Sequence, residues 1–329
     1  MNVDLSTSYM GLQLKNPVII GASRLTGNVE SILNLEKNGA AAVVLKSLFE
    51  EQILMDIDNQ RMNNIFDSYS DVENYIGFYT KQNSLNNYLK LIKDAKTQTK
   101  IPVIASINCD SNGEWIEFAK KIENAGADAL ELNIFILPSD PEKTGEEIEQ
   151  TYFDIIKSVK SVVNIPIAVK MSYYFSGFAN FATRLSNTGI NAMVFFNRFF
   201  SPDINIKTQK VVSGNLYSTP EENSMVLRWT GILANKLECD LAASTGIHDG
   251  KAVIKNLMAG ANAVQMVSGL YLNGVGDLVI VLQEIEKILS ENNFTSIKEI
   301  IGIANKEKIT NPQAYQRAQF MKYFSDSGK

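Results

Sequence analysis

Four stretches of the chain share one pattern, in which a glycine and a short step of small or polar residues lead into an apolar run. They are NGAAAVVLKS, AGADALELNI, TGINAMVFFN and AGANAVQMVS, with glycines at Gly39, Gly126, Gly189 and Gly260. Each glycine follows an amphipathic stretch and suits the left-handed residue just beyond a helix. The apolar runs do not alternate in polarity, which is typical of parallel strands buried on both faces. The repeated unit is therefore a helix, a glycine stop and a buried strand.

Four further apolar runs complete the strand pattern, at residues 17–21, 101–108, 165–171 and 239–245. Amphipathic segments such as EWIEFAKKIENA and GDLVIVLQEIEKIL lie between the runs and predict helices. Eight strands alternating with helices predict an α/β fold, a single-domain (β/α)8 TIM barrel spanning residues 1–329. A doubly wound open sheet is the alternative, but no G-x-G-x-x-G follows the first strand.

Three segments lie outside this repeat. Residues 51–81 form an aromatic-rich insertion after the second strand, and residues 198–220 form another after the sixth. Long loops at this end of a barrel usually cover a site. The stretch NPQAYQRAQFMKYF near the end of the chain predicts a C-terminal helix that packs on the outside.

The composition argues against several classes of function. Lys and Arg number 31 against 36 Asp and Glu, a net charge of −5 with no basic run, so no nucleic-acid partner is expected. Cys109 and Cys239 match no metal or redox spacing, which fits a reducing cytosol. No His/Asp/Glu cluster predicts a metal site, and the sole histidine, His248, is interpreted as a surface residue at a helix start. Without a signal-like apolar start or a span of ~20 apolar residues, we expect a cytoplasmic protein with no membrane contact.

Polar and small residues stand at the predicted carboxyl ends of the strands, where such barrels build their sites. They are Ala22, Ser23, Lys46, Ser47, Asn108, Asn133, Lys170, Asn197, Ser244, Thr245, Gly246, Ser268 and Gly269. A single lysine there is more often solvated or salt-bridged, and a single asparagine is more often a turn former. Two lysines and three asparagines at equivalent positions of one repeat instead predict a common ligand site, because buried polar groups need partners.

The turns after the last two strands predict a phosphate site. The sequence ASTGIHDGK places small residues at the turn after strand seven, with a helix opening at about residues 248–251, and VSG repeats the small turn after strand eight. Glycine allows close backbone approach, and free N–H groups at a helix start attract phosphate. Loops seven and eight are the usual phosphate site of these barrels.

In these segments the chain resembles the dihydroorotate dehydrogenase family of FMN-dependent barrels. The similarity runs in order through NPVIIGAS, VVLKS, ALELN, IAVKMS, FFN, STGI and VSG. The resemblance implies FMN, held at its phosphate by Thr245, Gly246 and Ile247 with Ser268 and Gly269. It implies that the isoalloxazine and the remaining cofactor surface are lined by Ala22, Ser23, Lys46, Ser47, Asn108, Asn133, Lys170, Asn197, Gly214 and Ser244. Lys170 and Lys46 would be catalytic, with Lys170 near the N1/O2 edge to stabilise reduced flavin.

The chain departs from the family pattern at the substrate side. In the family a Cys or Ser shortly after the strand-four Asn removes a proton from the substrate, and the matching position here is Ile136. Ser139, Ser172, Tyr173 and Tyr174 are alternative bases, of which Ser139 lies after Pro138 and needs a shifted loop. The family's Asn-rich motif after strand two is missing. Of the family's substrate-binding asparagines, only two have matches, Asn133 and Asn197.

The leading hypothesis is an FMN-dependent oxidoreductase, a dihydroorotate dehydrogenase-like paralogue acting on an altered small substrate. Alternatives are a non-catalytic flavin or electron-transfer subunit docked to a partner protein, and dihydroorotate oxidation with a relocated base. An aldolase or isomerase with Lys170 as a Schiff-base lysine is a further possibility. The resemblance also implies a homodimer.

Overall fold

The repeat of helix, glycine and strand closes into a ring. The computed structural model describes residues 3–49, 70–109, 112–199 and 201–316. Its strands are β1 (Thr7–Tyr9), β2 (Leu12–Leu14), β3 (Val18–Ile20), β4 (Ala42–Val44), β5 (Leu48–Phe49), β6 (Val103–Asn108), β7 (Ala129–Asn133), β8 (Ile167–Met171), β9 (Ala192–Phe195), β10 (Pro202–Asn205), β11 (Lys210–Ser213), β12 (Asp240–Ser244) and β13 (Ala263–Met266).

Helices surround these strands. The α-helices are α1 (Val29–Lys37), α2 (Ser70–Gln98), α3 (Asn112–Asn124), α4 (Gly145–Lys160), α5 (Phe178–Ser186), α6 (Asn223–Leu233), α7 (Gly250–Ala259), α8 (Ser268–Asn273) and α9 (Asp277–Glu291). Single 3-10 turns lie at Arg24–Thr26, Pro220–Glu222, Ile297–Glu299 and Pro312–Tyr315.

The barrel consists of eight parallel strands. In ring order they are β3, β4, β6, β7, β8, β9, β12 and β13, and β13 pairs with β3 to close the ring. Short β5 continues the course of β4 beside the end of β6. The predicted (β/α)8 TIM barrel is therefore confirmed, with all eight strands in their predicted segments.

Glycine ends four of the helices, as the repeat predicts. Gly39, Gly126, Gly189 and Gly260 have φ of 108°, 93°, 79° and 121°. Each lies within three residues of the end of α1, α3, α5 or α7 and turns the chain into the next strand. Side chains rarely adopt these dihedrals, so glycine is the residue that permits the turn.

Small side chains fill the amino-terminal end of the barrel. Alanines from most of the strands pack there with Ile19, Val44, Ile104 and Val194 in one buried cluster. The antiparallel β1–β2 pair contributes three further side chains to the cluster, Tyr9, Met10 and Leu14. This end of the barrel is therefore packed with apolar groups. A ligand site is expected at the carboxyl end instead.

The predicted insertions differ in form. Residues 51–69 lie outside the described residues, but residues 70–81 are the first turns of the 29-residue helix α2 and not a loop. In the second insertion, β10 and β11 form an antiparallel hairpin. The predicted final helix lies mostly beyond residue 316, the last one described, and its described part is the 3-10 turn Pro312–Tyr315. No helix of the described chain is long and apolar enough to cross a lipid bilayer.

Two of the glycines allow a matched stability test. A methyl group added at Gly260 would collide with the side chain of Ala234, whereas one added at Gly126 meets no atom within 4 Å. Gly126→Ala should lower the free energy of unfolding by about 1–2 kcal/mol through the backbone alone. Gly260→Ala should cost about 1–3 kcal/mol more because of overpacking. Urea unfolding of both variants measures the difference, and equal losses would contradict the packing at α7.

Candidate active site at the carboxyl ends of the barrel strands

A cavity of about 370 Å³ opens at the carboxyl ends of the strands. It is lined by residues from the loops after most of the barrel strands, and twelve of the fifteen predicted cofactor residues are among them. These twelve are Ala22, Ser23, Lys46, Ser47, Asn133, Lys170, Asn197, Ser244, Thr245, Gly246, Ile247 and Ser268. Both lysines therefore border one common space.

The other three predicted residues are not part of the lining. Asn108 donates from Nδ2 to the backbone oxygen of Asn133 at 2.8 Å, so it supports the end of β7. Gly214 donates to the backbone oxygen of Ser201 at 2.7 Å, which closes the base of the hairpin. Gly269 lies in α8, where an added Cβ would come within 2.7 Å of Met266 Cε. A role in cofactor binding for these three would be indirect.

Lys170 is buried and held by two polar side chains of the barrel interior. Its Nζ donates to Gln265 Oε1 at 2.7 Å and lies 3.9 Å from Glu131 Oε1. Gln265 in turn donates from Nε2 to Glu131 Oε2 at 2.5 Å. We call Glu131, Gln265 and Lys170 the interior triad. The side-chain amide of Gln265 bridges the Lys170 cation and the Glu131 anion, and each of these charges would be costly to bury alone.

The negative charge of Glu131 also acts on Tyr9, at the amino-terminal end of the barrel. Burial, and then the negative charges of Glu131 and Asp240, raise the pKa of the Tyr9 phenol well above its usual range. Tyr9 is 1% exposed, so its ring closes the barrel floor as a neutral group. The carboxylate of Glu131 therefore lies between an apolar floor and the lysine at the cavity.

Two asparagines flank Lys170. Asn197 donates from Nδ2 to the backbone oxygen of Lys170 at 3.4 Å, and both Asn133 and Asn197 are buried. Asn133 Oδ1 finds no hydrogen-bond partner among the described residues. Because an unpaired buried acceptor costs about 1–3 kcal/mol, Asn133 is suited to accept a hydrogen bond from a ligand in the cavity.

Lys46 and Ser47 border the cavity from the second strand. Lys46 is exposed, whereas Ser47 is buried and its Oγ lies 2.8 Å from Ser106 Oγ. Tyr88 packs behind them, accepting from Ser106 N at 2.7 Å and donating to Ser106 O at 2.9 Å. Ser47 is thus tied to β6, whereas the Lys46 side chain is exposed.

The predicted phosphate end is built differently from the sequence expectation. The helix opens at Gly250, within the predicted range of residues 248–251. Two of its first N–H groups are engaged, because Asp249 caps the helix by accepting from Ala252 N at 2.7 Å and Glu284 accepts from Gly250 N at 2.7 Å. Two carboxylates therefore occupy donors that the sequence led us to expect free for a phosphate.

Ser218 contacts three other residues at this end of the cavity. Its Oγ accepts from Gly246 N at 3.2 Å and lies 3.3 Å from His248 Nε2, while its own N donates to Ser268 Oγ at 3.0 Å. His248 is half-buried and contacts Ser218, so it is more than a surface residue. The turns after β12 and β13 are thereby tied to the chain that follows the hairpin.

Thr245 carries a backbone conformation that is unusual for its type. Its φ is 85°, a left-handed value that a β-branched residue rarely adopts. Its Oγ1 donates to the backbone oxygen of Phe196 at 3.1 Å, and its own carbonyl accepts from Asn223 Nδ2 at 3.1 Å. Such strain costs about 1–3 kcal/mol and gathers at functional sites, which singles out this turn.

The candidate bases lie outside the described cavity lining. Ile136 is half-buried, and Ser139 is exposed, with its N–H donating to Leu137 O at 2.8 Å. Ser172 is fully buried and accepts from Tyr174 N at 3.3 Å. Tyr173 and Tyr174 are each about two-fifths exposed at the neighbouring rim.

Several lining residues were missed by reasoning from the sequence. They are Arg24, Phe196, Arg198, Leu216, Ser218, Gln265 and Val267. Gln265 carried a usable signal, because a polar residue inside a run buried on both faces needs a partner. Ser218 carried none, since nothing in an insertion of 23 residues indicates which one returns to the barrel.

A double-mutant cycle tests the interior triad. Lys170→Met or Glu131→Leu alone leaves one charge buried without its partner and should cost about 3–5 kcal/mol of unfolding free energy. The double variant removes both charges and should recover at least half of the summed loss. Denaturant unfolding measures all four proteins. Additive losses would show that the two charges do not interact.

Comparison with known proteins agrees with this geometry. Residues 4–289 match the family model of dihydroorotate dehydrogenase. A relative from Methanocaldococcus jannaschii is 29% identical over 92% of this chain and 98% of its own length. Relatives from Thermoplasma acidophilum and Pyrococcus furiosus are each 27% identical over 92% of this chain, and over 99% and 100% of their own lengths. All three are named dihydroorotate dehydrogenase B (NAD(+)), catalytic subunit.

The match covers the barrel from near its amino terminus through most of the last helix, including every strand whose end borders the cavity. The chain belongs to the dihydroorotate dehydrogenase family.

Proposed function

We propose that the protein is an FMN-dependent oxidoreductase that transfers a hydride between a small substrate and the flavin. The observation that carries the proposal is the convergence of Lys46, Lys170 and Asn133, with the turns after β12 and β13, on one cavity of about 370 Å³. That volume lies within the range of small-molecule and cofactor sites. When bound, the flavin supplies the hydride chemistry, and the protein supplies position and charge.

The lining suits FMN chemically. The orphan Asn133 Oδ1 is an acceptor for an N–H group of a flavin ring, and Lys170 is a fixed cation for its electron-rich edge. Ser218 and Ser268 offer hydroxyl groups for a phosphate beside the turn Thr245–Gly246–Ile247, where the Gly246 N–H and the Thr245 hydroxyl already donate within the protein. Ala22 and Ser23, which follow β3 next to β13, add little bulk to the lining.

The interior triad gives Lys170 a defined role. Because Gln265 and Glu131 fix its Nζ, the cation costs little reorganisation when negative charge builds up on a ligand beside it. Removing the ammonium should therefore impair flavin reduction more than flavin binding. Lys46, which is exposed, is the second cationic candidate.

We further propose that the substrate differs from dihydroorotate. Ile136 cannot accept a proton, and Ser139 is exposed and absent from the described lining. A missing general base costs about 10²- to 10⁴-fold in rate. The same observation favours a second candidate, a flavin subunit that passes electrons to a partner protein, since that role needs no base. The curated relatives are themselves named catalytic subunits. A homodimer in the cytoplasm remains our expectation.

Cofactor binding is tested with FMN and riboflavin, which differ by the phosphate. Ser268→Asp should weaken FMN binding at least tenfold, because a like charge ~4 Å away costs about 1–4 kcal/mol. Riboflavin binding should change little. Ser290→Asp, on the exposed face of α9, is the matched control and should bind both as the parent protein does. Fluorescence titration of the three apoproteins with each ligand measures all six affinities.

A purified protein that takes up no FMN would end the proposal. Equal loss of FMN and riboflavin in Ser268→Asp would place the phosphate elsewhere.

The substrate side is tested by restoring a base. Mixed anaerobically with dihydroorotate, the FMN-loaded protein should bleach slowly, and Ile136→Cys should bleach at least tenfold faster, since proton abstraction by a positioned base contributes about 10²–10⁴. Leu137→Cys, one residue along the same loop and exposed, is the control and should bring no gain. Rapid bleaching of the unaltered protein would show that dihydroorotate is its substrate and that the base lies elsewhere.

A further inference from the structure

A second cavity, of about 390 Å³, adjoins the proposed cofactor cavity. The two share Phe196, Asn197, Arg198 and Thr245, so the end of the sixth barrel strand forms a common wall. The far side is formed by the loop after β8 and the first turn of α6. The family resemblance assigns Asn197 and Thr245, on the shared wall, to substrate and cofactor, but it assigns no ligand to the aromatic far side.

Aromatic rings form its walls. Tyr174 meets Phe199 edge to face with ring centroids 5.2 Å apart, and Tyr173 meets Phe196 in the same way at 5.4 Å. Tyr173 and Tyr174 themselves lie 4.7 Å apart. Tyr173 is 37% and Tyr174 41% exposed, which leaves a large part of each ring without protein contact. Ring faces and edges left open in a concave site suit another ring, because such pairs prefer stacked or edge-to-face geometry.

The walls carry no unbalanced charge. Among the described lining residues only Arg198 and Glu222 are charged, and Arg198 Nε donates to Glu222 Oε2 at 2.9 Å. The other two guanidinium nitrogens donate to the backbone oxygens of Leu216 at 3.1 Å and Asn215 at 2.8 Å. A carboxylate in this cavity would therefore find no cation that is not already engaged.

The phenol of Tyr173 is also neutral. The hydrogen bond between the two tyrosines, followed by burial, raises the pKa of Tyr173 to about 12. Besides the paired Arg198 and Glu222, the cavity thus offers ring faces, hydroxyl groups and the Ser224 side chain.

We propose that this second cavity binds an uncharged, planar aromatic compound against the exposed ring surfaces of Tyr173 and Tyr174, beside Phe199. Its volume accommodates a ligand of one or two fused rings. Binding itself does not require the flavin. That such a compound is a reactant of the neighbouring site rests on the proposed function, and it agrees with the loss of the features that would hold a charged dihydroorotate.

Three redox-inert probes of similar size test the proposal by isothermal titration at pH 7. These are 2-naphthol, which is uncharged and aromatic, 2-naphthoate, which is aromatic and anionic, and decahydro-2-naphthol, which is uncharged but saturated. We expect 2-naphthol to bind at least tenfold more tightly than either of the others, because naphthoate would lose hydration without gaining a counter-charge and the saturated ring cannot stack. Each titration is made with and without FMN.

Variants of the cavity lining test whether 2-naphthol binds in the second cavity. Tyr174→Ala should weaken 2-naphthol binding about tenfold or more, and Tyr174→Phe, which keeps the ring, should restore it. Ser224→Trp places a large ring in the cavity and should abolish binding. Ile280→Ala, an exposed apolar residue on α9, is the control and should have no effect. Far-ultraviolet circular dichroism of each variant confirms that it is folded.

The outcomes separate the two proposals. Binding of 2-naphthol that survives Tyr174→Ala and Ser224→Trp would overturn the assignment of this cavity, as would equal affinity for naphthoate or no binding at all. If 2-naphthol binds as expected to a protein that takes up no FMN, the second cavity stands and the proposed oxidoreductase function fails.

Discussion

The pairing of Glu131, Gln265 and Lys170 inside the barrel is the interaction on which the site depends. A lysine and a glutamate are expensive to bury, and each is tolerated here because the amide of Gln265 joins them and the two charges balance. Apolar side chains in place of these three would give the barrel equal or greater stability. The triad therefore fixes a cation at a chosen point of the cavity, at the expense of some of the stability an apolar interior would provide.

The barrel divides this work between its two ends. The amino-terminal end is filled by alanines and by Tyr9, Met10 and Leu14 of the β1–β2 pair, and burial raises the pKa of the Tyr9 phenol well above its usual range, so that it stays neutral. The carboxyl end carries the lysines, asparagines and serines. Because the apolar end supplies packing, the strained turn at Thr245 and the orphan oxygen of Asn133 can be maintained at the other end.

The two sides of the cavity differ in character. Hydrogen bonds among Ser218, Ser268 and Gly246 tie together the turns after β12 and β13 on one side. The opposite rim holds Phe135, Leu137, Tyr173 and Tyr174, all at least 37% exposed. Polar and cationic groups therefore line the cavity, whereas apolar and aromatic surface borders it at this rim. The proposed oxidoreductase function rests on the first set of residues, and the proposed aromatic ligand rests on the second.

The sequence by itself determined the strands, their order and the residues at their ends, because unbroken apolar runs, and the glycines that follow four of the helices, are local features. It placed Lys46, Asn133 and Lys170 at strand ends, and the ring brings them to one cavity. Only the tertiary structure decided that Gln265 meets Glu131, 134 residues earlier, that Ser218 returns to the turn at Gly246, and that Asp249 and Glu284 occupy the start of α7. Those contacts depend on how the closed ring sets the strands in register and where a long insertion folds back, and neither is written in the pattern of neighbouring residues.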